Sequence, residues 1–384
     1  MIKSEDKAWL HKTIADIYGK MDWVSTKSQG KIPATTIDGV HDNRRVNLSG
    51  RREDGLKWWT NGFFAGMMWL MYHQTGEHRY ADIAGNTEQW LDQTFDDFYG
   101  LHHDVGFMWM PSAVAHYRLT GNLESRKRGL HAASLLAGRF NPVGRFIRAW
   151  DGVEPHDTTG WGIIDCMCNL PLLYWASEEI KDPRFSQIAE IHAGTVIDAF
   201  VRENGSCEHI VEFDPHKGGK VKIYGGQGYA DGSAWTRGQS WGLYGFTLSY
   251  MHNKKPEFLE TARRIADYWI TQIPESGLIP IDFDQPAEPA LEDSTATAVA
   301  SCGLIELSRI VGGEEGQLYL NAAVKMLKTL TENRCNWTKE FDGILENCSG
   351  SYHGKESHHI SLIYADCYFM EAMFKLKGDD FLLW

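Results

Sequence analysis

Apolar positions along the chain fall into two alternating kinds of segment. The first kind is rich in aromatic residues, glycine and other small residues, and covers 58–76, 106–121, 163–177, 235–252, 294–310 and 360–376. Runs with so little polar surface to give to water predict helices buried on most sides. The second kind is amphipathic, with alanine and apolar residues recurring at helical spacing among charges. It covers 9–21, 79–95, 125–140, 184–201, 257–273 and 318–333. Turn signals such as "QTGEHRY", "LTGNLES" and "EIKDPRF" join a segment of the first kind to the next of the second. Pro111 and Pro171 fall inside two of the buried segments and predict a kink or a late helix start there.

Six segments of each kind describe six helical hairpins. A hairpin cannot bury its apolar face alone, so the hairpins stack. The predicted fold is all-α, a six-hairpin α/α toroid forming one domain over 1–384, with the buried helices as its inner ring. An open helical solenoid has the same pattern, and ring closure separates the two. The longer connections are 22–57, 96–105, 141–162, 202–234, 274–293 and 334–359, and they build a cleft at one end. Within 202–234, "CEHIVEF" and "GKVKIYGG" alternate like the strands of a small hairpin.

Composition narrows the function. Over 384 residues, 43% are hydrophobic and 23% charged, the balance of an ordinary globular protein. A net charge of −13 argues against a nucleic-acid partner, which needs a basic face. An anionic small molecule stays open, because one local arginine overrides the global sign. The N-terminal stretch has no apolar core of a secretory leader, and no apolar run is long enough to span a bilayer. Seven cysteines, with Cys166 and Cys168 only two apart, read as reduced thiols. The expectation is a cytoplasmic protein with no membrane partner. The 15 Trp, 15 Tyr and 17 Phe exceed what that class requires. Core packing accounts for most of them; a stacking surface for sugar rings is the sharper reading of the rest.

Two acids stand out. Asp165 lies inside "GIIDCMCNLPLLYWAS", and Asp104 follows "LHH" at the start of the second buried segment. Both belong at the same end of neighbouring inner helices and face the mouth of the ring. Paired carboxylates across a cleft are the equipment of acid–base work on glycosidic bonds. The plainer readings are a charge meeting a helix dipole for Asp104 and a satisfied structural acid for Asp165. "HHD" at 102–104 and the pair His358 and His359 have no matching ligand set at helical spacing, so no metal is expected. The stretch "GGQGYADGSAWTRGQSWGLYGF" carries Gln227, Trp235, Arg237 and Trp241. Its tryptophans offer stacking faces, and the Arg237 guanidinium can grip a carboxylate at two points. Core tryptophans in a glycine-rich connection are the alternative. "LKWWTNGFFAG", with Trp58, Trp59 and Asn61, has the same two readings. No phosphate-binding loop or dinucleotide fingerprint is present.

Taken together, "WTNGFFAGMMWLMY", "HHDVGFMW", "IIDCMCNLPLLYWAS", "DGSAWTRGQSWGLYGF" and "DSTATAVASCGLIEL" resemble the unsaturated glucuronyl hydrolases, glycoside hydrolase family 88. The resemblance spans nearly the whole chain. It implies the six-hairpin α/α barrel and no metal or organic cofactor. It also implies removal of the 4,5-unsaturated uronic acid that polysaccharide lyases leave at a non-reducing end, by hydration of its vinyl ether. In the matching positions Asp165 is the general acid and base, and Asp104 its partner. The positions matching substrate contacts are Trp59, Trp150, His209, Gln227, Trp235, Arg237 and Trp241. One departure concerns sulfate. Family members acting on sulfated glycosaminoglycans carry S-x-x-S-x-K in the last long loop. Here it reads "SGSYHGKESHH", where Ser351 and Lys355 stand one residue too close and the second serine is missing.

Other readings remain at this stage. A conventional inverting glycosidase would use Asp104 as base and Asp165 as acid. A sister family releases unsaturated galacturonic acid from rhamnogalacturonan, but the "HHD" and "WTRGQSW" contexts favour the glucuronyl enzymes. A non-catalytic sugar-binding protein predicts no turnover, and an epimerase needs a base pair that the sequence does not show.

Overall fold

The computed structural model describes residues 3–46, 55–97, 99–152 and 157–384. The predicted connections 22–57, 96–105 and 141–162 lie partly outside the described residues. Thirteen α-helices are present among those described: α1 (Lys7–Ser28), α2 (Phe63–Thr75), α3 (His78–Leu91), α4 (Val105–Trp109), α5 (Ala115–Thr120), α6 (Leu123–Ala137), α7 (Pro171–Ile180), α8 (Arg184–Ala199), α9 (Thr236–Asn253), α10 (Pro256–Gln272), α11 (Ser294–Val311), α12 (Gly313–Asn333) and α13 (Ile363–Lys377).

The two sequence patterns separate into two rings. On α9 every residue from Thr236 to Ser249 is buried, as a helix without a polar face requires. On α10 the buried set is Phe258, Thr261, Ala262, Ile265, Ala266 and Trp269, a single stripe at helical spacing. The inner ring runs α2, α4–α5, α7, α9, α11, α13, and α13 packs back onto α2. That contact closes the ring and excludes the open solenoid. Helices α3, α6, α8, α10 and α12 pack outside their inner partners, and α1 covers α13 and α2. One continuous hydrophobic cluster runs from Leu10 to Trp384. Close approach of inner elements relies on glycine: a Cβ on Gly245 of α9 would lie 2.4 Å from the Met167 Cβ.

The two prolines change the local structure in different ways. The segment 106–121 is not one continuous helix. It is α4, a wider π-turn over Met110–Val114, and α5. Pro111 has no N–H to give and its ring needs room, which a wider turn supplies. In the third buried segment, Pro171 opens α7, where its missing N–H costs nothing. The helix thus starts late, one of the two outcomes expected of this proline, and the residues before it are not α-helical. They form a strand and then a 3₁₀ turn over Ile164–Cys168, and Asp165 sits on that turn.

Among the described residues, seven short strands form three small antiparallel sheets. β1 (Thr36–Ile37) pairs with β2 (Val40–His41), and β3 (Phe140–Asn141) with β4 (Phe146–Ile147). The third contains β5 (Trp161–Ile163), β6 (Ile210–Phe213) and β7 (Lys220–Tyr224), in that order. The hairpin expected in 202–234 is β6–β7. Its register sets Ile163 opposite Ile210 and Ile210 opposite Tyr224. The Ile164 N–H continues the ladder to the His209 carbonyl at 3.1 Å. The sheet thus delivers His209 to the turn that carries Asp165.

Each of the seven cysteines is unpaired, six of them buried and Cys335 partly so. Among the described residues, no helix is long and apolar enough to cross a membrane.

Candidate active site

A cleft of about 620 Å³ opens at the end of the ring where the inner helices begin. Asp104 occupies the N-cap position of α4, and Asp165 is the second residue of its 3₁₀ turn. Both carboxylates line this cleft. Trp58, Trp59 and Lys57 line it from the stretch before α2, and Tyr99, Gly100 and His102 from the approach to α4. Trp150, Asp151 and Thr158 come from the connection after β4, and Gln227 from the one after β7.

Electrostatics set the two acids apart from ordinary carboxylates. Burial disfavours the charged form of Asp165 and pushes its pKa up to about 7, although the nearby Arg237 guanidinium pulls the other way. Asp104 is driven well above the usual carboxylate range, first by burial and then by the charge of Asp165, against the pull of Arg139. Burial thus favours the protonated form of both acids, and Asp104 also feels the charge of Asp165. Asp165 Oδ1 is buried without a hydrogen-bond partner. A group that works as an acid loses activity as it is deprotonated, so kcat should fall as pH rises through about 7. A pH–rate profile checks this. Activity that instead rises from pH 6 to pH 9 would contradict the acid role.

His209 stands 3.9 Å from Asp165, measured from its Nε2 to Oδ1. Its Nδ1 faces the Gly225 carbonyl at 2.9 Å and the Gln227 N–H at 3.1 Å, so the tautomer decides which bond is made. Burial holds its pKa down at about 3, and the imidazole is neutral. Its Nε2 is buried without a partner, facing the acid. His103 lies beside the other acid, with Nε2 3.4 Å from Asp104 Oδ1, and burial likewise keeps it neutral.

Arg237 lines the cleft but its fork is largely engaged within the protein. Its Nη1 donates to Asp293 Oδ2 at 2.6 Å and to the Ser349 carbonyl, and its Nη2 donates to the Gly350 carbonyl at 2.6 Å. The two-point grip expected for a ligand is made instead on the last long loop and the start of α11. Gln227 also reaches that loop, donating from Nε2 to the Gly350 carbonyl at 2.8 Å. Trp59 packs on Tyr364 with ring centroids 4.7 Å apart, and Trp150 packs on Trp161 at 5.9 Å. Both are partly exposed in the cleft wall.

Three expected contacts, His209, Trp235 and Trp241, do not line the cleft. Trp235 is buried, with its ring 4.2 Å from that of His209 and 4.6 Å from the Arg237 guanidinium carbon. Trp241 is fully buried against Phe107 and Tyr368. The Ser351–Lys355 stretch folds on itself, Gly354 N–H donating to Ser351 Oγ at 3.0 Å. Sequence reasoning passed over Lys57, Tyr99 and Asp151, which reach the cleft from loops without periodic signal. It also passed over Asn169, one ordinary polar residue in "CMCNLP". Among the described residues, no group of three or more His, Cys, Asp or Glu is placed to hold a metal.

A closed α/α toroid with two buried acids lining the mouth of its ring belongs to the class of glycan-processing barrels. No family model matches the chain. The chain is 37% identical over 327 residues to an unsaturated glucuronyl hydrolase of Bacillus sp. (strain GL1), covering 83% of this chain and 86% of that protein. It is 33% identical to an unsaturated chondroitin disaccharide hydrolase of Streptococcus pneumoniae, covering 85% and 83%. Among solved structures, it superposes with a TM-score of 0.88 on an unsaturated glucuronyl hydrolase responsible for the degradation of glycosaminoglycan, from Bacillus sp. GL1. That match has 32% identity and covers 96% of this chain and 97% of the other. The chain belongs to the unsaturated glucuronyl hydrolase family and is a hydrolase.

Proposed function

We propose that the whole chain forms one catalytic unit that removes 4,5-unsaturated uronic acid from the non-reducing end of lyase-generated oligosaccharides of the glycosaminoglycan type. The observation that carries this reading is the buried acid pair, with Asp165 titrating near neutrality in a cleft of saccharide size. Asp165 donates its proton to C4, and the C4=C5 electron pair forms the new C4–H bond. Positive charge develops at C5, shared with the ring oxygen. Water adds at C5 and returns a proton to the Asp165 carboxylate. The resulting hemiketal opens to a C5 ketone and a C1 hemiacetal, and collapse of the hemiacetal to the aldehyde breaks its C1–O bond and releases the rest of the saccharide.

Asp104 shares protons with Asp165 and faces the ring hydroxyls. Neutral His209 orients the acid or the water, Trp59 and Trp150 offer faces to the sugars, and Gln227 offers its amide. Arg237 holds the last loop in place and moderates the proton affinity of Asp165. Trp235 and Trp241 back His209 and the floor. The protein needs no metal or organic cofactor for this chemistry and acts in the cytoplasm, without nucleic-acid or membrane partners. The departure of Ser351–Lys355 from S-x-x-S-x-K weighs against a preference for a sulfated sugar.

Isotopes separate this route from displacement at the anomeric carbon. Hydration in heavy water places deuterium at C4 of the released sugar, and in oxygen-labelled water it puts the label first on C5. Displacement leaves C4 unlabelled and puts the label on C1. Early sampling with mass spectrometry and NMR decides between them. A product that keeps its double bond and carries the label at C1 overturns the proposal.

A further inference from the structure

Asn169 joins the two acids from behind the cleft. It is fully buried and closes the 3₁₀ turn that carries Asp165. Its Oδ1 accepts the Phe107 N–H at 2.7 Å, in the first turn of α4 just beyond Asp104. Its Nδ2 donates to the Asp165 main-chain carbonyl at 3.2 Å. The same side chain favours the charged form of the Asp104 carboxylate. An amide has an acceptor end and a donor end, and here each end is fixed to the backbone element bearing one of the acids.

Gly106 leaves that bridge no slack. A Cβ at position 106 would lie 2.5 Å from Asn169 Oδ1, 2.6 Å from its Cα and 2.8 Å from its Cβ. The helix that begins at Asp104 therefore rests directly on the amide, and a shift of either element is transmitted to the other. Other side chains at 169 do worse. Aspartate keeps the acceptor but loses the donor when ionised, and alanine loses both.

We propose that Asn169 is a positioning residue that sets the spacing and mutual orientation of Asp104 and Asp165, with Gly106 as the contact that permits it. The inference rests on the assignment of the two acids above. It assigns to a residue outside the cleft a share in the reaction that is exerted only through its neighbours.

Three variants test it, with an unsaturated chondroitin disaccharide as probe. Asn169→Asp keeps the bond to Phe107 and hence the brace on α4, but loses the donor. Its kcat should fall at least about tenfold while KM stays within about twofold, since position 169 does not reach the cleft. Gly106→Ala keeps the amide and should show the same split. Asn169→Ala is read without substrate, by carbon NMR titration of the aspartate carboxyls. The Asp104 step should move to higher pH, because a dipole that favours its charged form is gone. An Asn169→Asp variant with wild-type kcat, or an Asn169→Ala variant with an unmoved titration, overturns the proposal. Lack of turnover by the wild-type protein would count against the substrate reading alone, because the titration still reports on Asn169.

Discussion

Replacing Asp165 by Asn should abolish turnover of an unsaturated disaccharide while the protein stays folded. The amide has nearly the shape of the carboxyl group, and Oδ1 of Asp165 makes no hydrogen bond whose loss would disturb the turn. What it cannot do is hold an acidic proton. The expected loss is at least about 100-fold in kcat, the lower end of what a general acid contributes. Binding should survive and serve to trap the uncleaved disaccharide. Removing a buried ionisable group from an apolar site should leave stability unchanged or raise it, because the burial that lifts the pKa to about 7 also opposes the charged form. Loss of the absorbance of the conjugated double bond follows the reaction directly. A variant that retains a near-wild-type rate, folded and free of wild-type contamination, would move the acid role elsewhere.

The second large effect is expected at Arg237. The side chain is buried, and so is its partner Asp293, at 2% and 0% exposure. Arg237→Ala leaves that carboxylate buried without its counter-charge and releases the carbonyls of Ser349 and Gly350. Breaking one side of such a pair costs about 3–5 kcal/mol. Bonds from the Thr295 and Ser349 N–H groups to Asp293 Oδ1 remain and hold the cost toward the lower end. Urea unfolding should therefore show a lower midpoint, and the last long loop should become sensitive to protease. Arg237→Lys keeps the charge but not the fork, and should fall between the two. An unchanged midpoint with only a raised KM would mean that the guanidinium serves the ligand rather than the loop.

These two residues also mark where reading the sequence succeeds and where it stops. Asp165 was visible because a carboxylate between Ile164 and Cys166 has no solvent to turn to, whatever the local backbone does. The six hairpins were visible for the same reason, since helices with so little polar surface must line an interior. The partners of Arg237 were not visible. They come from 293 and 349–350, brought together only when α9 and α11 pack side by side in the ring. Trp241 misled because α9 is buried all round. With no polar stripe, nothing in the pattern says which tryptophan faces the cleft and which faces the core. Likewise, the interior pairing of Lys375 with Glu306 at 2.5 Å and Glu371 at 3.3 Å is a tertiary fact. Each of those charges, read locally, belongs to an outward face.

Ring closure has a consequence for how the molecule is made. Five of the contacts around the inner ring join elements that follow one another in the chain, and they can form as synthesis proceeds. The sixth joins α13 to α2 and must close a loop of nearly the whole described chain. Its entropic cost falls due in a single late event, and topologies dominated by such contacts fold slowly. Until that event, a nascent chain presents the apolar flanks of α2 and α11 to its surroundings, surfaces that aggregate when exposed. Dependence on chaperones should therefore concentrate in the interval between the emergence of α11 and the docking of α13. A chain stopped before Ile363 should be retained by a folding helper rather than released.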